Sequence, residues 1–302
     1  MPYAVTPVVA QSASLAISPP VIEVLLAPNK KIVHAFKLTN QGESSDFVAN
    51  IHTLTPSDSN GHSIIDPTPL DPSTIPLTIS LANADRELGQ PFHLNSNDST
   101  QLVLEIEGAN TDITIDSYLA LVITPIIPSS QPPKTDPPWT DTFPSISALI
   151  LTTLSPDGII PINLKVTDFN LPSIHDSSTP LTISTKLTNS SNIMLRPQST
   201  LIISKPQQSN SDEITLDPNL ILANSSRTLT VDSSSPIYHP KWYYIGPYEF
   251  TLKITTEGNS QITSVTKTVW LLPIRILITL ALLALITIYL LLLTKKHQQH
   301  TN

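Results

Sequence analysis

The chain contains no cysteine. No disulfide can close it, so stability has to come from apolar burial rather than from a cystine framework. Glycine is scarce, at 7 of 302 residues. Neither a Gly-rich phosphate loop nor a Gly-x-Ser-x-Gly nucleophile elbow occurs. Charged residues make up only 13% of the chain and aromatics 5%. Setting aside Arg275, Lys295 and Lys296 leaves 13 of the 16 basic residues against all 24 acidic ones, a balance of −11. Such a surface is ill suited to nucleic acid or to an anionic membrane face. Met1 to Pro20 carries no Lys or Arg, so the basic n-region of a secretion signal is missing. Ala10-Gln11-Ser12 nonetheless has the small residues of a cleavage site, and residues 1–13 are read as the remnant of a signal peptide.

Proline is plentiful, with 29 residues spread through the first 273. Interior proline breaks helices, while Thr, Ser, Val, Ile and Leu fill the intervals. The pattern is one of many short strands joined by Pro, Asn, Asp and Ser turns. Two modules echo each other. Phe36-Lys37-Leu38-Thr39-Asn40 recurs as Thr185-Lys186-Leu187-Thr188-Asn189, each copy ending in a polar turn. Alternation puts Phe36 and Leu38 on one face, with Lys37 and Thr39 on the other. Tyr118 and Tyr248 each follow a turn and open an apolar strand, the position of a tyrosine corner in an Ig-like sandwich. The expected architecture is all-β before the last segment: two tandem Ig-like β-sandwiches, residues 14–128 and 145–272. A Pro-rich linker or excursion, residues 129–144, separates them. Animal surface domains of this kind usually carry a disulfide between sheets, so its absence suits a bacterial surface better.

One long hydrophobic run stands out. Ile276 to Leu293 is apolar except for Thr279, Thr287 and Tyr289. About 20 residues at ~1.5 Å rise match the ~30 Å hydrocarbon core of a bilayer. Trp270 and Arg275 flank one end, and Lys295 and Lys296 the other, as interfacial anchors do. Residues 273–294 are thus read as a transmembrane helix and 295–302 as a short cytoplasmic tail. The lysine pair then places both modules outside a plasma membrane crossed once.

No residue set has catalytic or metal-ligand spacing, so neither enzyme nor cofactor is expected. Asp58-Ser59-Asn60-Gly61-His62 begins like a calcium loop but lacks the later acidic ligands. His34 and His52 are read as solvent-facing strand residues, neighbours if their strands are adjacent. The cluster Tyr238-His239-Pro240-Lys241-Trp242-Tyr243-Tyr244 is conspicuous in so aromatic-poor a chain. Tyr238, Trp242, Tyr243 and Tyr244 are candidate partner-binding residues. Such side chains dominate binding surfaces and also populate the belt beside a membrane.

Ser18-Pro19-Pro20-Val21-Ile22-Glu23-Val24, Pro28-Asn29-Lys30 and Phe36-Lys37-Leu38-Thr39-Asn40-Gln41-Gly42 together resemble the opening of the bacterial WxL-interacting-protein family. The same opening resembles the N-terminal domain of pilus chaperones, to which a membrane anchor is foreign. The first resemblance implies a peptidoglycan-binding Ig-like domain, a second such domain and a membrane anchor. The function it implies is that of a non-enzymatic adhesion protein of the bacterial envelope, binding cell-wall polymer or surface and host proteins. The alternative is an accessory subunit of a secretion, pilus or transport complex. The lipid bilayer is a partner in both.

Overall fold

A computed structural model describes residues 14–126, 145–159, 161–206, 211–216, 220–230, 237–256 and 259–299. The chain divides into two compact units, and a helix follows the second.

The first unit holds β1 (Leu15–Ser18), β2 (Val21–Leu26), β3 (Lys31–Asn40), β4 (Ser45–Pro56), β5 (Ser63–Pro69), β6 (Leu77–Leu81), β7 (Pro91–Leu94), β8 (Ser99–Gly108), β9 (Ile115–Pro125) and β10 (Ile146–Leu154). One sheet runs β1-β3-β8-β6, and the other β2-β10-β9-β4-β5 with β7 also on β4. The chain changes sheets between β1 and β2 at Ser18-Pro19-Pro20, where the Ser18–Pro19 bond is cis. β2 then lies parallel to β10, while the other pairings are antiparallel. Phe36, Leu38, Leu102 and Leu104 from one sheet meet Phe47, Leu119, Leu121 and Ile150 from the other in a dry core. Period-2 alternation supplies this core, because each strand sends every second side chain inward. The β2–β3 turn places Asn29 at φ 58°, a left-handed conformation that Asn tolerates in place of glycine.

The second unit holds β11 (Leu164–Asn170), β12 (Ile174–Asp176), β13 (Leu181–Thr182), β14 (Ser184–Asn189), β15 (Pro197–Ser204), β16 (Ser211–Leu216), β17 (Ser226–Thr230), β18 (Ile237–Tyr238), β19 (Gly246–Thr256) and β20 (Asn259–Leu272). Its sheets are β11-β14-β17 and β12-β20-β19-β15-β16, with a small β13-β18 pair. The plan of the first unit is repeated. β12 lies parallel to β20 as β2 does to β10, and β14 pairs β17 as β3 pairs β8. Leu187, Leu229, Phe250, Leu252, Val269 and Leu271 form the core.

The repeated Thr-Asn motif has one structural role in both units. Thr39 and Ser99 share a hydroxyl hydrogen bond of 2.8 Å, as do Thr188 and Ser226. Asn40 and Asn189 are fully buried. Asn40 Nδ2 donates to the carbonyls of Glu43, Leu94 and Asn95, and Oδ1 accepts from Gly42 N. Asn189 Nδ2 donates to Ile221 and Leu222, and Oδ1 accepts from Ser191 N. Each asparagine thus closes its own turn while pinning the chain that leads into the neighbouring strand. A buried polar group with this full a set of partners specifies one register.

Several expectations need correction. β10 pairs both β2 and β9 and completes the first unit, so residues 146–154 do not begin the second module. The parallel partner of β2 comes from beyond β9, and no local pattern announces it. His34 and His52 do not lie on adjacent strands: they sit in different sheets. His52 is buried, with Nδ1 2.7 Å from the Asp66 carbonyl, rather than facing solvent. The Tyr118 hydroxyl donates to Asp116 Oδ2 at 2.7 Å. Asp58 to His62 forms a plain Asx turn, in which Asn60 N donates to Asp58 Oδ1. The supposed signal remnant and the Pro-rich segment 129–144 lie outside the described residues.

β20 leads through Pro273 into the helix α1 (Ile274–Gln299). Ile274–Leu293 is long and apolar enough to cross a membrane, and none of that stretch is buried against the protein. Thr279 and Thr287 donate their hydroxyls to the carbonyls of Arg275 and Leu283, each at 2.8 Å. Both threonine hydroxyls in the apolar run are thereby satisfied internally, as a hydrocarbon environment requires. The helix continues through Lys295 and Lys296.

Candidate functional site

The aromatic segment and the start of α1 meet at one end of the second unit. β18 brings Tyr238 opposite Leu181. Its ring is buried edge-on to Phe250, with centroids 6.3 Å apart, and its hydroxyl donates to Asp212 Oδ2 at 3.2 Å. A turn closed by Tyr244 N on Lys241 O follows. It returns Tyr244, which donates to the same Oδ2 at 2.5 Å and stacks on Tyr248 at 4.6 Å. Lys241 Nζ donates to Asp212 Oδ1 at 2.9 Å. One carboxylate on β16 therefore gathers three donors from a loop about thirty residues downstream.

Burial pushes the Asp212 carboxyl up, but the bonds from Tyr244 and Lys241, and the Lys241 charge, outweigh it and leave it below the usual carboxylate range. The bond to Asp212 raises Lys241 well above the ordinary lysine range. Burial first, then the Asp212 charge, raises the Tyr238 phenol well above the ordinary tyrosine range. These groups form a locked brace and hold no proton to exchange near neutrality.

The brace divides the predicted partner-binding residues. Tyr238 is buried and Tyr244 is spent on Asp212 and Tyr248, so neither presents a free ring. Their phenols belong to the packing of this end of the sandwich. Trp242 and Tyr243 project outward, edge to face with each other at 5.8 Å. Gly246, with φ 104°, then lets the chain turn into β19, a backbone state that residues with a Cβ avoid.

Beside the brace, Asp176 caps α1. Its Oδ1 accepts from Ile274 N and its Oδ2 from Arg275 N, both at 3.1 Å. Arg275 Nε lies 3.8 Å from Oδ2. Ser178 adds two bonds, from N at 2.9 Å and from Oγ at 2.7 Å. Burial raises the Asp176 carboxyl, and the Ser178, Arg275 and Ile274 bonds outweigh this and lower it overall. A helix start leaves its first N–H groups without intrahelical partners and carries positive partial charge, so a carboxylate stabilises it on both counts. Ser177 continues the clamp: its N donates to Leu272 O and its Oγ to Trp242 O. The exit of the helix and the aromatic loop are thus held by three consecutive residues, Asp176 to Ser178.

Of the four predicted anchors, Trp270 is half exposed near the end of β20 and Arg275 opens α1. Lys295 and Lys296 lie in the helix, with side chains outside the described residues. Asp176 and Asp212 were not singled out from sequence, because each acts on residues 98 or about 30 positions away. Among the described residues, no group of three or more metal-ligating side chains gathers.

No family model matches the chain, and no curated protein matches it. Solved structures similar to it include the chaperone–tip adhesin complex of CFA/I fimbriae, at 8% identity over 85% of this chain and 99% of that one, TM-score 0.44. The class 5 fimbriae chaperone CfaA has 9% identity, the same coverages and a TM-score of 0.43. The Salmonella enterica SafA pilin–SafB chaperone complex has 13% identity over 86% and 99%, TM-score 0.37. At TM-scores below 0.5 these likenesses carry no function across. The resemblance to WxL-interacting proteins is corrected: no family model of that kind matches the chain, and peptidoglycan loses its basis as a ligand. The residues that carried that resemblance, Ser18 to Gly42, build β1, β2, their turn and β3, a strand–turn–strand opening that sandwiches share.

Proposed function

We propose that the chain is a non-enzymatic accessory subunit of a bacterial envelope assembly, tethered to the membrane by α1, with its sandwich units holding protein partners. The observation that supports this reading is the junction at Asp176. A span joined through a loose stalk would only tether, whereas a capped helix continuous with β20 fixes the second unit at the bilayer. The lysine pair beyond the span argues for both units on the outer side.

Partner binding by strand addition is part of the proposal. β2 is an outermost strand of its sheet and alternates buried and exposed residues, with Val21 41% and Leu25 60% exposed. An edge strand offers backbone groups to an incoming segment, and side chains on alternate positions supply its selectivity. Two measurements test the reading. The full chain in membranes should resist extraction at pH 11, and a photo-crosslinker in place of Leu25 should capture a discrete envelope protein in cells. Release of the chain into the alkaline supernatant, or no adduct at Leu25 while one at an interior control position is also absent, refutes it.

A further inference from the structure

The end of the second unit from which α1 departs carries a rim of exposed apolar side chains at one level. Ile174 pairs with Trp270 across β12 and β20, and Gly246 faces Leu271 across β19 and β20. Ile245 therefore stands about level with Leu272, one residue before Pro273. Trp242 is brought to the same level by Ser177, which holds both its carbonyl and that of Leu272. Ile174, Trp242, Tyr243, Ile245 and Trp270 are each 50–64% exposed. A soluble surface seldom groups aromatics and aliphatics in this way without a covering partner.

We infer that this rim is seated in the headgroup interface of the bilayer that α1 crosses, so that the second unit rests on the membrane through its own side chains. The inference rests on the spanning role proposed for α1. The occupant follows from covalent continuity. Strand residues advance about 3.3 Å each, so Trp270 lies within roughly 15 Å of contour from Ile274, and the aromatic loop is held nearer. The interfacial layer on each side of the hydrocarbon is about 5–8 Å deep. Leu272, two residues before Ile274, is only about 7 Å of contour away, so a span that begins at Ile274 brings Ile245 and Trp242, on the level of Leu272, to that layer, with Trp270 and Ile174 just above it. Amphipathic rings favour it, with their bodies toward lipid and their N–H or O–H toward water. Of the basic groups nearby, Lys241 and Arg275 are already paired with Asp212 and Asp176, while Lys205 lies beside Gly246. The five exposed rim side chains are aromatic or aliphatic, so seating draws on their burial and is expected in neutral phosphatidylcholine.

The absence of native cysteine makes the test direct. Single-cysteine variants of the full chain, Tyr243→Cys, Ile245→Cys, Lys253→Cys and Leu285→Cys, are labelled with an environment-sensitive fluorophore and placed in phosphatidylcholine vesicles. Quenching by lipids bearing a nitroxide near the headgroup is then read. Position 253 lies seven residues along β19 from Gly246 and serves as the distal control. The rim predicts quenching at 243 and 245 at least threefold above that at 253, with position 285 quenched by deep nitroxides. Deep quenching at 285 with 243 and 245 no higher than 253 overturns the rim and leaves the span intact. No quenching at 285 overturns the span and the rim with it.

Discussion

Replacing Asn40 or Asn189 by alanine should destabilise one unit and leave the other as it is. Asn40 makes four hydrogen bonds and Asn189 at least three, and both side chains are fully buried. A typical intramolecular hydrogen bond contributes about 0.5–1.5 kcal/mol, and a buried carbonyl left without a donor costs about 1–3 kcal/mol. Some of the freed carbonyls are only partly buried and will find water. The two amide hydrogens of Asn40 also serve three acceptors, so its bonds do not add in full. A loss of about 2–4 kcal/mol is expected for either truncation. Because the chain has two units, a single unfolding midpoint is a poor readout. Hydrogen exchange followed by mass spectrometry on the full chain separates them. In Asn40→Ala the slowest amides of β3 and β8 should exchange about 30- to 700-fold faster, since ~1.4 kcal/mol is a factor of ten. Those of β14 and β17 should not change, and Asn189→Ala should reverse the pattern. Asn40→Asp should be at least as damaging, because it turns an acceptor toward the carbonyls that Nδ2 served. An effect under threefold, or equal losses in both units, refutes the claim that each asparagine locks its own sandwich.

Other perturbations have equally definite outcomes. Asp176→Ala removes the cap of α1 and should cost about 1 kcal/mol, seen as faster amide exchange at Ile274 and Arg275, while Asp176→Asn should retain part of the protection. Asp212 and Asp176 both titrate below the ordinary carboxylate value in the folded state. The stability they contribute is therefore complete above the unfolded pKa of about 4 and is lost as pH falls through the lowered folded value. Acid titration of the second unit should show this loss, and Asp212→Asn should flatten it. Phe250→Ala opens a cavity in a fully buried site and should cost about 3–5 kcal/mol, measured by the urea needed to expose β19 amides. Gly246→Ala meets nothing closer than Lys205 Cε at 3.9 Å. Its cost, about 1–2 kcal/mol, is thus conformational, and a similar loss is expected from Gly246→Ser.

The sequence by itself determined that the chain before the helix is built mainly of strands, that a strand motif is duplicated, and that one helix carries a long apolar run. These are local matters. Period-2 alternation around Phe36 and Leu38, proline in the intervals and eighteen nearly unbroken apolar positions each act through neighbours along the chain. Thr-Asn was legible as a strand end for the same reason. Its partners were not, because Leu94 and Ile221 reach the asparagines only after two sheets have stacked. The aromatic cluster was visible as composition, yet which rings are spent on Asp212 and which face outward depended on where β16 lies. The place of β10 beside β2, and the capping of α1 by Asp176 across 98 residues, likewise came from the tertiary structure alone. Loop closure over such distances leaves no periodic trace in the chain, so only the packed sandwich reveals it.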